Sequence, residues 1–455
     1  MRFFKLSIDY LTNGLIVITN FSEKKLLYTG GFSLRMTKNI GFVSTRFAGT
    51  DGVTLEASKW AQVLKSAGHN YFWFAGLLDR NPDHSFLVPE ASFQHEKNLW
   101  IDRQIFGKKR RDPAVTDAIY ELKTYLKKQL NEFIKTYNID LLITQNVLTI
   151  PMHIPLGIAL TELIAETQIP TIAHHHDFYW ERTRFSVNAV GDYLRMAFPP
   201  NLPNIEHVVI NSTAQEELAL RTGITSIIIP NVLDFENPPD VDREKTKDFR
   251  ENIGLEADDI FILQPTRVVQ RKGIEHAIEL VEELGDPRYK LVISHEAGDE
   301  GLEYAEWLKD HAGNRGVDLR TLNLRISDPF NPDVNRKDLY TLWDVYPHSD
   351  FVTYPSLYEG FGNAFLEAVY FKKPLLINRY AIFVRDIEPK NFDLIAMDGY
   401  LTRKTVKKVR EVLESPERRG KMVNTNFEIA KKYFSFDKLR RWLNLLLTNF
   451  FGSEV

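Results

Sequence analysis

Tyr354-Pro-Ser-Leu-Tyr-Glu-Gly-Phe-Gly-Asn-Ala-Phe-Leu-Glu-Ala-Val369 sets two carboxylates, Glu359 and Glu367, around a glycine-rich turn. Upstream, Asp350-Phe-Val-Thr-Tyr354 reads as a buried strand. From Ala364 onward the composition is helical, so Glu359-Gly360-Phe361-Gly362-Asn363 falls at a strand-to-helix switch, where open parallel sheets bind ligands. Gly360 and Gly362 permit close backbone approach, and the following helix offers unpaired N–H groups and its positive dipole end to a diphosphate. Glu359 can accept from sugar hydroxyls, while Glu367, one turn into the helix, can reach a ribose. A bare glutamate pair is more simply read as solvated, but this context points to a sugar-nucleotide site.

Working outward, short β-rich runs recur between helical segments. Ile40 to Ser44, Tyr71 to Ala75, Leu141 to Thr144, Thr171 to His174 and His207 to Asn211 form one series. Ile260 to Gln264, Lys290 to Ser294, Leu322 to Ile326, Phe351 to Tyr354 and Leu375 to Asn378 form another. Most are continuously apolar rather than alternating, as in parallel sheets covered by helices on both faces. Helical stretches such as Thr54 to Ala67, Ala114 to Tyr137 and Ile154 to Thr167 fit between them. The expected fold class is therefore α/β, with two Rossmann-like parallel-sheet domains facing a cleft. The polar segment Glu236 to Lys247, with Pro238-Pro239, is the candidate linker, and the apolar helix Trp442 to Phe451 is expected to cross back. The expected divisions are an extension at 1–35, domains at 36–233 and 234–430, and a crossover helix within 431–455. For the extension two readings stand: Met36 as the true initiator, or an added hairpin turning at Asn13-Gly14 and Gly30-Gly31.

The 455 residues suit roughly two to three domains. With 44% hydrophobic and 26% charged residues the composition is ordinary for a globular protein, and a net charge of −4 argues against a general nucleic-acid binder. Absence of cysteine removes disulfides, thiolate zinc sites and cysteine nucleophiles. No apolar run reaches the roughly 18 to 20 residues of a membrane span, so neither stable membrane insertion nor a secretory leader is expected, and a cytoplasmic location is. Self-association is left open.

Gln264-Pro-Thr-Arg267-Val-Val-Gln-Arg271-Lys272-Gly273 places three cations on the loop leaving the first strand of the second series. An arginine fork and a lysine point charge suit a leaving diphosphate, on which negative charge grows. Such a cluster is more often a solvated basic loop; its place ahead of the helix Ile274 to Leu284 favours the site. Thr45-Arg-Phe-Ala-Gly49-Thr-Asp-Gly52-Val53 resembles a phosphate or acceptor loop, but it lacks the dinucleotide fingerprint, and a tight turn is the simpler reading of Gly49 and Gly52. Ala173-His174-His175-His176-Asp177 ends a predicted strand. Alternate strand residues face opposite ways, so the three imidazoles do not converge easily on one ion, and no metal is expected. His176 is the preferred partner for a sugar hydroxyl.

With these segments in place, the chain from about Met36 onward resembles the retaining glycosyltransferases of the GT-B fold, in the family 4-like group that includes sucrose-phosphate synthases and bacterial α-mannosyltransferases. The most specific element is the spacing of Glu359 and Glu367 within Ser356-Leu-Tyr-Glu-Gly-Phe-Gly. Arg267 with Lys272, Gly49 to Gly52, His176-Asp177 and Pro230-Asn231-Val-Leu-Asp234 follow in the family's order. The resemblance implies that Arg267 and Lys272 hold the donor diphosphate and Glu367 the ribose. Glu359, with the Gly360, Phe361, Gly362 and Asn363 amides, would hold the transferred sugar, Gly52 would lie near the phosphates, and His176 near the sugar's C6 hydroxyl. It also implies a nucleotide-sugar co-substrate, no cofactor or divalent metal, and a front-face path in which the leaving phosphate helps deprotonate the acceptor. Where many members carry a glycine-rich, Pro-Glu-containing loop after Pro374-Leu-Leu-Ile-Asn-Arg-Tyr380, this chain has Ala381-Ile-Phe-Val-Arg385-Asp386-Ile387. Trp180, Glu181, Arg182 and Arg184 point to a polar, anionic acceptor such as a glucosylglycerate, with GDP-mannose or UDP-glucose as donor. Sugar-nucleotide epimerases and phosphorylases share the fold, and a non-catalytic sugar-nucleotide binder is a third alternative.

Overall fold

The computed structural model describes residues 37–49, 51–238, 246–294, 302–322 and 341–452, together with the backbone of three short N-terminal strands. Those strands, β1 (Tyr10–Leu11), β2 (Leu15–Ile18) and β3 (Leu26–Thr29), pair antiparallel as a small separate sheet. The turns expected at Asn13-Gly14 and Gly30-Gly31 lie outside the described residues.

Two wholly parallel sheets carry the rest. The first contains β4 (Asn39–Val43), β5 (Asn70–Ala75), β6 (Ser85–Leu87), β7 (Leu141–Gln145), β8 (Thr171–His175), β9 (Ile205–Val209) and β10 (Ile227–Ile228), in the order β10-β9-β8-β7-β4-β5-β6. The second contains β11 (Ile260–Gln264), β12 (Tyr289–Ile293), β13 (Leu319–Thr321), β14 (Phe351–Tyr354), β15 (Leu375–Asn378) and β16 (Ile395–Met397), in the order β13-β12-β11-β14-β15-β16. Both are doubly wound. The chain reverses direction across the sheet between β4 and β7 in one lobe and between β11 and β14 in the other, and the crevice outside the carboxyl ends of such strands is the ligand site of this architecture. All five residues of β7 and of β8, and all four of β14 and of β15, are buried. That is why these strands read as unbroken apolar runs.

The helices Ile154–Thr167 and Ile274–Leu284 match their expected bounds. The expected strand His207–Asn211 lies two residues earlier, at Ile205–Val209, which releases Asn211 to cap the helix Ser212–Thr222. The third strand of the second lobe ends at Thr321; residues 323–326 of the expected Leu322 to Ile326, and the segment Asp328 to Asp333, lie outside the described residues. So do residues 239–245 of the candidate linker.

The chain passes twice between the lobes, side by side. Leu233 N–H donates to Phe434 O at 2.9 Å, and Phe436 N–H donates to Leu233 O at 3.1 Å. The C-terminal helix runs from Phe436 to Phe451, six residues longer than expected, because Ser435 caps it through Lys438 N–H. Its buried Phe436, Leu439, Leu443, Leu446 and Leu447 share one core with Ile40, Phe42, Trp60 and Leu64 of the first lobe. The C-terminal helix thereby crosses back to pack on the first lobe, against the helix Gly52–Ser66.

Candidate active site

Both loops singled out in the second lobe spring from the strands flanking its reversal point: Pro265–Gly273 from β11 and Pro355–Gly362 from β14. They meet at two glycines. Gly273 has φ +59°, and a Cβ there would stand 2.7 Å from Pro355 O. Gly362 has φ +121°, and a Cβ would run into Tyr380 Oη, whose hydroxyl donates to Phe361 O at 2.6 Å. Only glycine combines that backbone conformation with that approach. Gly362 precedes the helix Asn363–Tyr370, which no side chain caps, so its first-turn amides face the cleft with the helix's positive end.

The charged groups gather at this point. Lys272 Nζ pairs with Glu359 Oε1, and their side chains are only 9% and 11% exposed. Arg271 Nη1 lies 3.4 Å from Glu359 Oε2 and donates to Tyr358 O at 3.0 Å. Burial by itself would raise the Glu359 carboxyl, but Lys272 and Arg271 outweigh it and hold the group below the ordinary carboxylate range. Burial lowers the Lys272 ammonium, with Glu359 opposing and Arg271 and Arg267 adding to the effect. Arg267 is exposed at the rim. Glu367, half-buried one turn into the helix, accepts from Tyr346 Oη at 3.0 Å. Burial pushes its carboxyl up to about 7, against the opposing pull of Lys59 and Tyr346.

The first lobe supplies the facing wall. Gly52 begins the helix Gly52–Ser66, capped by Asp51, and its Cβ position is 3.5 Å from Asn363 Nδ2 across the cleft. Gly49, at φ +79°, donates its N–H to Asp79 Oδ2 at 2.8 Å, which is the behaviour of a turn residue. His176 follows β8 directly; its carbonyl is 3.6 Å from the Cβ position of Gly360. His176 Nε2 meets Gln145 Oε1 at 2.9 Å, and burial lowers the imidazole to about 4, so the ring is neutral at physiological pH. The structure thus brings Gly52, His176, Lys272, Glu359 to Asn363 and Glu367 together, with Arg267 at the edge and Gly49 set back in its turn.

The other two histidines are buried behind His176, with the His174 ring centroid 4.3 Å from its own. His174 stacks on Trp60 with ring centroids 4.3 Å apart, and His175 Nε2 meets His207 Nδ1 at 2.9 Å. Among the described residues no group of three or more His, Asp or Glu side chains is arranged to hold a metal ion. Arg182, expected as a fork for an acceptor carboxylate, already engages Asp177 through Nε at 2.7 Å, and Asp177 is held in turn by Asn146 at 2.9 Å. Arg184 lies over the Phe185 ring.

Several site residues escaped the sequence reading. Lys59 is buried, pairs with Glu56 at 2.8 Å and acts electrostatically on both His176 and Glu367. Asn231 donates to Asn363 Oδ1 at 2.7 Å, and Tyr358 Oη to Glu181 Oε2 at 2.8 Å, both across the lobes. An i, i+3 Glu-Lys pair reads in sequence as a solvated helix face; only its enclosure between lobes marks it. A recess of about 670 Å3 elsewhere in the first lobe is lined by Trp100, Tyr125 and Glu90 and includes none of these residues.

Comparison with known proteins identifies relatives of the chain and of its fold. Residues 245–428 match the family model of glycosyl transferases group 1. The chain is 32% identical over 422 residues to a mannosylglucosylglycerate synthase of Thermotoga maritima, covering 86% of this chain and 95% of that one. It is 33% identical over 383 residues to the enzyme of that name from Petrotoga mobilis, covering 79% and 86%. Among solved structures, the sucrose-phosphate synthase of Thermosynechococcus elongatus superposes with a TM-score of 0.61 at 15% identity, over 91% of this chain and 100% of that one. That likeness concerns the GT-B fold, in which two Rossmann-like domains face a cleft. Among the described residues no helix is long and apolar enough to cross a membrane. Fold and relatives agree, and the chain belongs to the group 1 glycosyltransferases of the GT-B fold, as a nucleotide-sugar-dependent enzyme.

Proposed function

We propose that the enzyme transfers mannose from GDP-mannose to a glucosylglycerate with retention of anomeric configuration, UDP-glucose being the alternative donor. The observation that carries the reading is the enclosed Lys272–Glu359 pair beside the uncapped helix Asn363–Tyr370, facing Gly52 and His176 of the other lobe. The names of the two relatives supply the acceptor class.

In this reading the donor diphosphate lies between Lys272, Arg271 and Arg267 and the helix amides, with Gly52 close to the phosphates. Lys272 is already desolvated, so its charge acts on the leaving phosphate through little intervening water. Glu359 accepts hydrogen bonds from the transferred sugar and Glu367 from the ribose. His176, neutral, serves as a hydrogen-bond partner for the C6 hydroxyl rather than as a proton donor. No carboxylate is assigned as a covalent nucleophile: Glu359 is committed to two cations. The acceptor hydroxyl attacks on the face from which the diphosphate departs, and a phosphate oxygen takes its proton.

The test is a thermal-shift panel with GDP-, UDP- and ADP-sugars and their bare diphosphates, in EDTA, followed by an acceptor screen that begins with glucosylglycerate. Selective binding to the native state raises apparent stability. A shift confined to one base, with product formed from glucosylglycerate, is the expected result. Absence of any shift, with or without glucosylglycerate, would remove the donor-site assignment.

A further inference from the structure

We propose that Asn211 is a positioning residue for the transferred sugar: from the first lobe, it fixes the orientation of the Gly360–Phe361 peptide in the donor loop of the second. The inference rests on the donor-site reading above.

Asn211 follows β9, is 5% exposed, and makes two hydrogen bonds of 2.7 Å in opposite directions. Its Oδ1 accepts from Ala214 N–H as the cap of the helix Ser212–Thr222, and its Nδ2 donates to Gly360 O. The assignment of oxygen and nitrogen is forced, because a backbone N–H can only donate and a carbonyl can only accept. The cap therefore sets the amide, and the amide sets the Gly360 carbonyl. In a trans peptide the N–H lies opposite the C=O, so anchoring Gly360 O toward the first lobe directs Phe361 N–H the other way. The next carbonyl, Phe361 O, is held at 2.6 Å by Tyr380 of the second lobe. Two consecutive peptides are thus fixed by their carbonyl ends, one from each lobe, which aims the N–H groups of Phe361 and Gly362 as a pair.

The same helix turn is braced from across the cleft. Ser212 N–H donates to Asp386 Oδ2 at 2.8 Å and its hydroxyl to Asp386 Oδ1, while Arg385 pairs with Glu216 at 2.6 Å. These residues occupy the segment where the resemblance to the family's glycine-rich loop fails. That segment keeps the cap of Ser212–Thr222 against the donor loop, so the sugar-facing amides are in register only while the lobes are together.

Asn211→Ser and Asn211→Asp both keep an acceptor for Ala214 N–H and preserve the helix cap. The aspartate removes the donor to Gly360 O and sets a carboxylate against that carbonyl, while the serine keeps one hydroxyl on a shorter side chain. The experiment measures the Kd of the bare nucleoside diphosphate, and kcat and KM for diphosphate release from GDP-mannose or UDP-glucose with glucosylglycerate, in wild type and both variants. The expected outcome is kcat reduced roughly tenfold to a hundredfold, more in the aspartate variant, with diphosphate affinity unchanged within about twofold. A kcat within about twofold of wild type in the aspartate variant, or a parallel loss of bare-diphosphate affinity, overturns the role. Failure of the wild type to turn over either sugar nucleotide overturns the donor-site reading itself, and this inference with it.

Discussion

Glu359 and Lys272 illustrate how one contact serves two states. Without donor each is the other's counter-ion in a place largely closed to water. In the proposed function, donor binding redirects the Lys272 charge to the diphosphate and Glu359 to sugar hydroxyls. Glu359→Gln keeps the shape but removes the charge that orders the sugar, so turnover is expected to fall far more than bare-diphosphate affinity. Lys272→Ala is expected to damage both, because the phosphate charge is felt in ground and transition states alike. It also takes from Glu359 its closer cation and leaves Arg271, at 3.4 Å, as the remaining one. Steady-state kinetics beside calorimetric binding separates the two; near-wild-type turnover in either variant removes that residue from its role. The glutamates and the basic loop were legible in sequence because glycines and strand ends surround them. Asn211 and Lys59 were not, since each reads locally as an ordinary cap or a solvated helix residue, and its meaning comes from the other lobe.

At the level of elements, sequence pattern gave the central strands because burial on both faces leaves no polar alternation to confuse the reading. It did not give β6 and β16, three-residue strands at sheet edges whose composition carries no period. The C-terminal helix was read short because Ser435-Phe-Asp-Lys resembles a loop, although Ser435 is its cap and Phe436 its first buried contact. That helix is the clearest element-scale test. Leu443 is 1% exposed in the core shared with the first lobe. Leu443→Ala should cost about 2 to 5 kcal/mol, from lost transfer energy and the cavity left behind. Chemical denaturation measures it. A loss under about 1 kcal/mol would show that the helix does not hold the lobe in solution.

The whole molecule carries an acid sensitivity that none of its parts reveals alone. Burial lowers His153, His176 and His207 to about 4 and takes His174 and His175 well below the ordinary imidazole value. A histidine whose folded pKa is depressed contributes stability that is complete above its unfolded value, about 6.5, and that is lost as pH falls toward the folded one. A shift of this size corresponds to about 3 kcal/mol for each of the three with a value near 4. Glu367 works in the opposite sense. Its carboxyl, raised to about 7, makes the native state the better proton acceptor between about 4.5 and 7, so acidification through that window stabilises by a similar amount. Asp102, raised by burial to about 7, and Glu56 and Glu181, raised by the same cause, act in the same sense as Glu367; the five buried histidines act against these four carboxyls, and the net expectation is a loss of stability from pH 6.5 to 4. Replacing His207 with Gln removes one of the groups and is expected to flatten that slope while lowering stability at pH 8, where its contact with His175 is lost. Denaturation midpoints at half-unit pH intervals decide it: a profile level from 6.5 to 4.5 would mean that these rings reach water and accept protons without unfolding the first lobe.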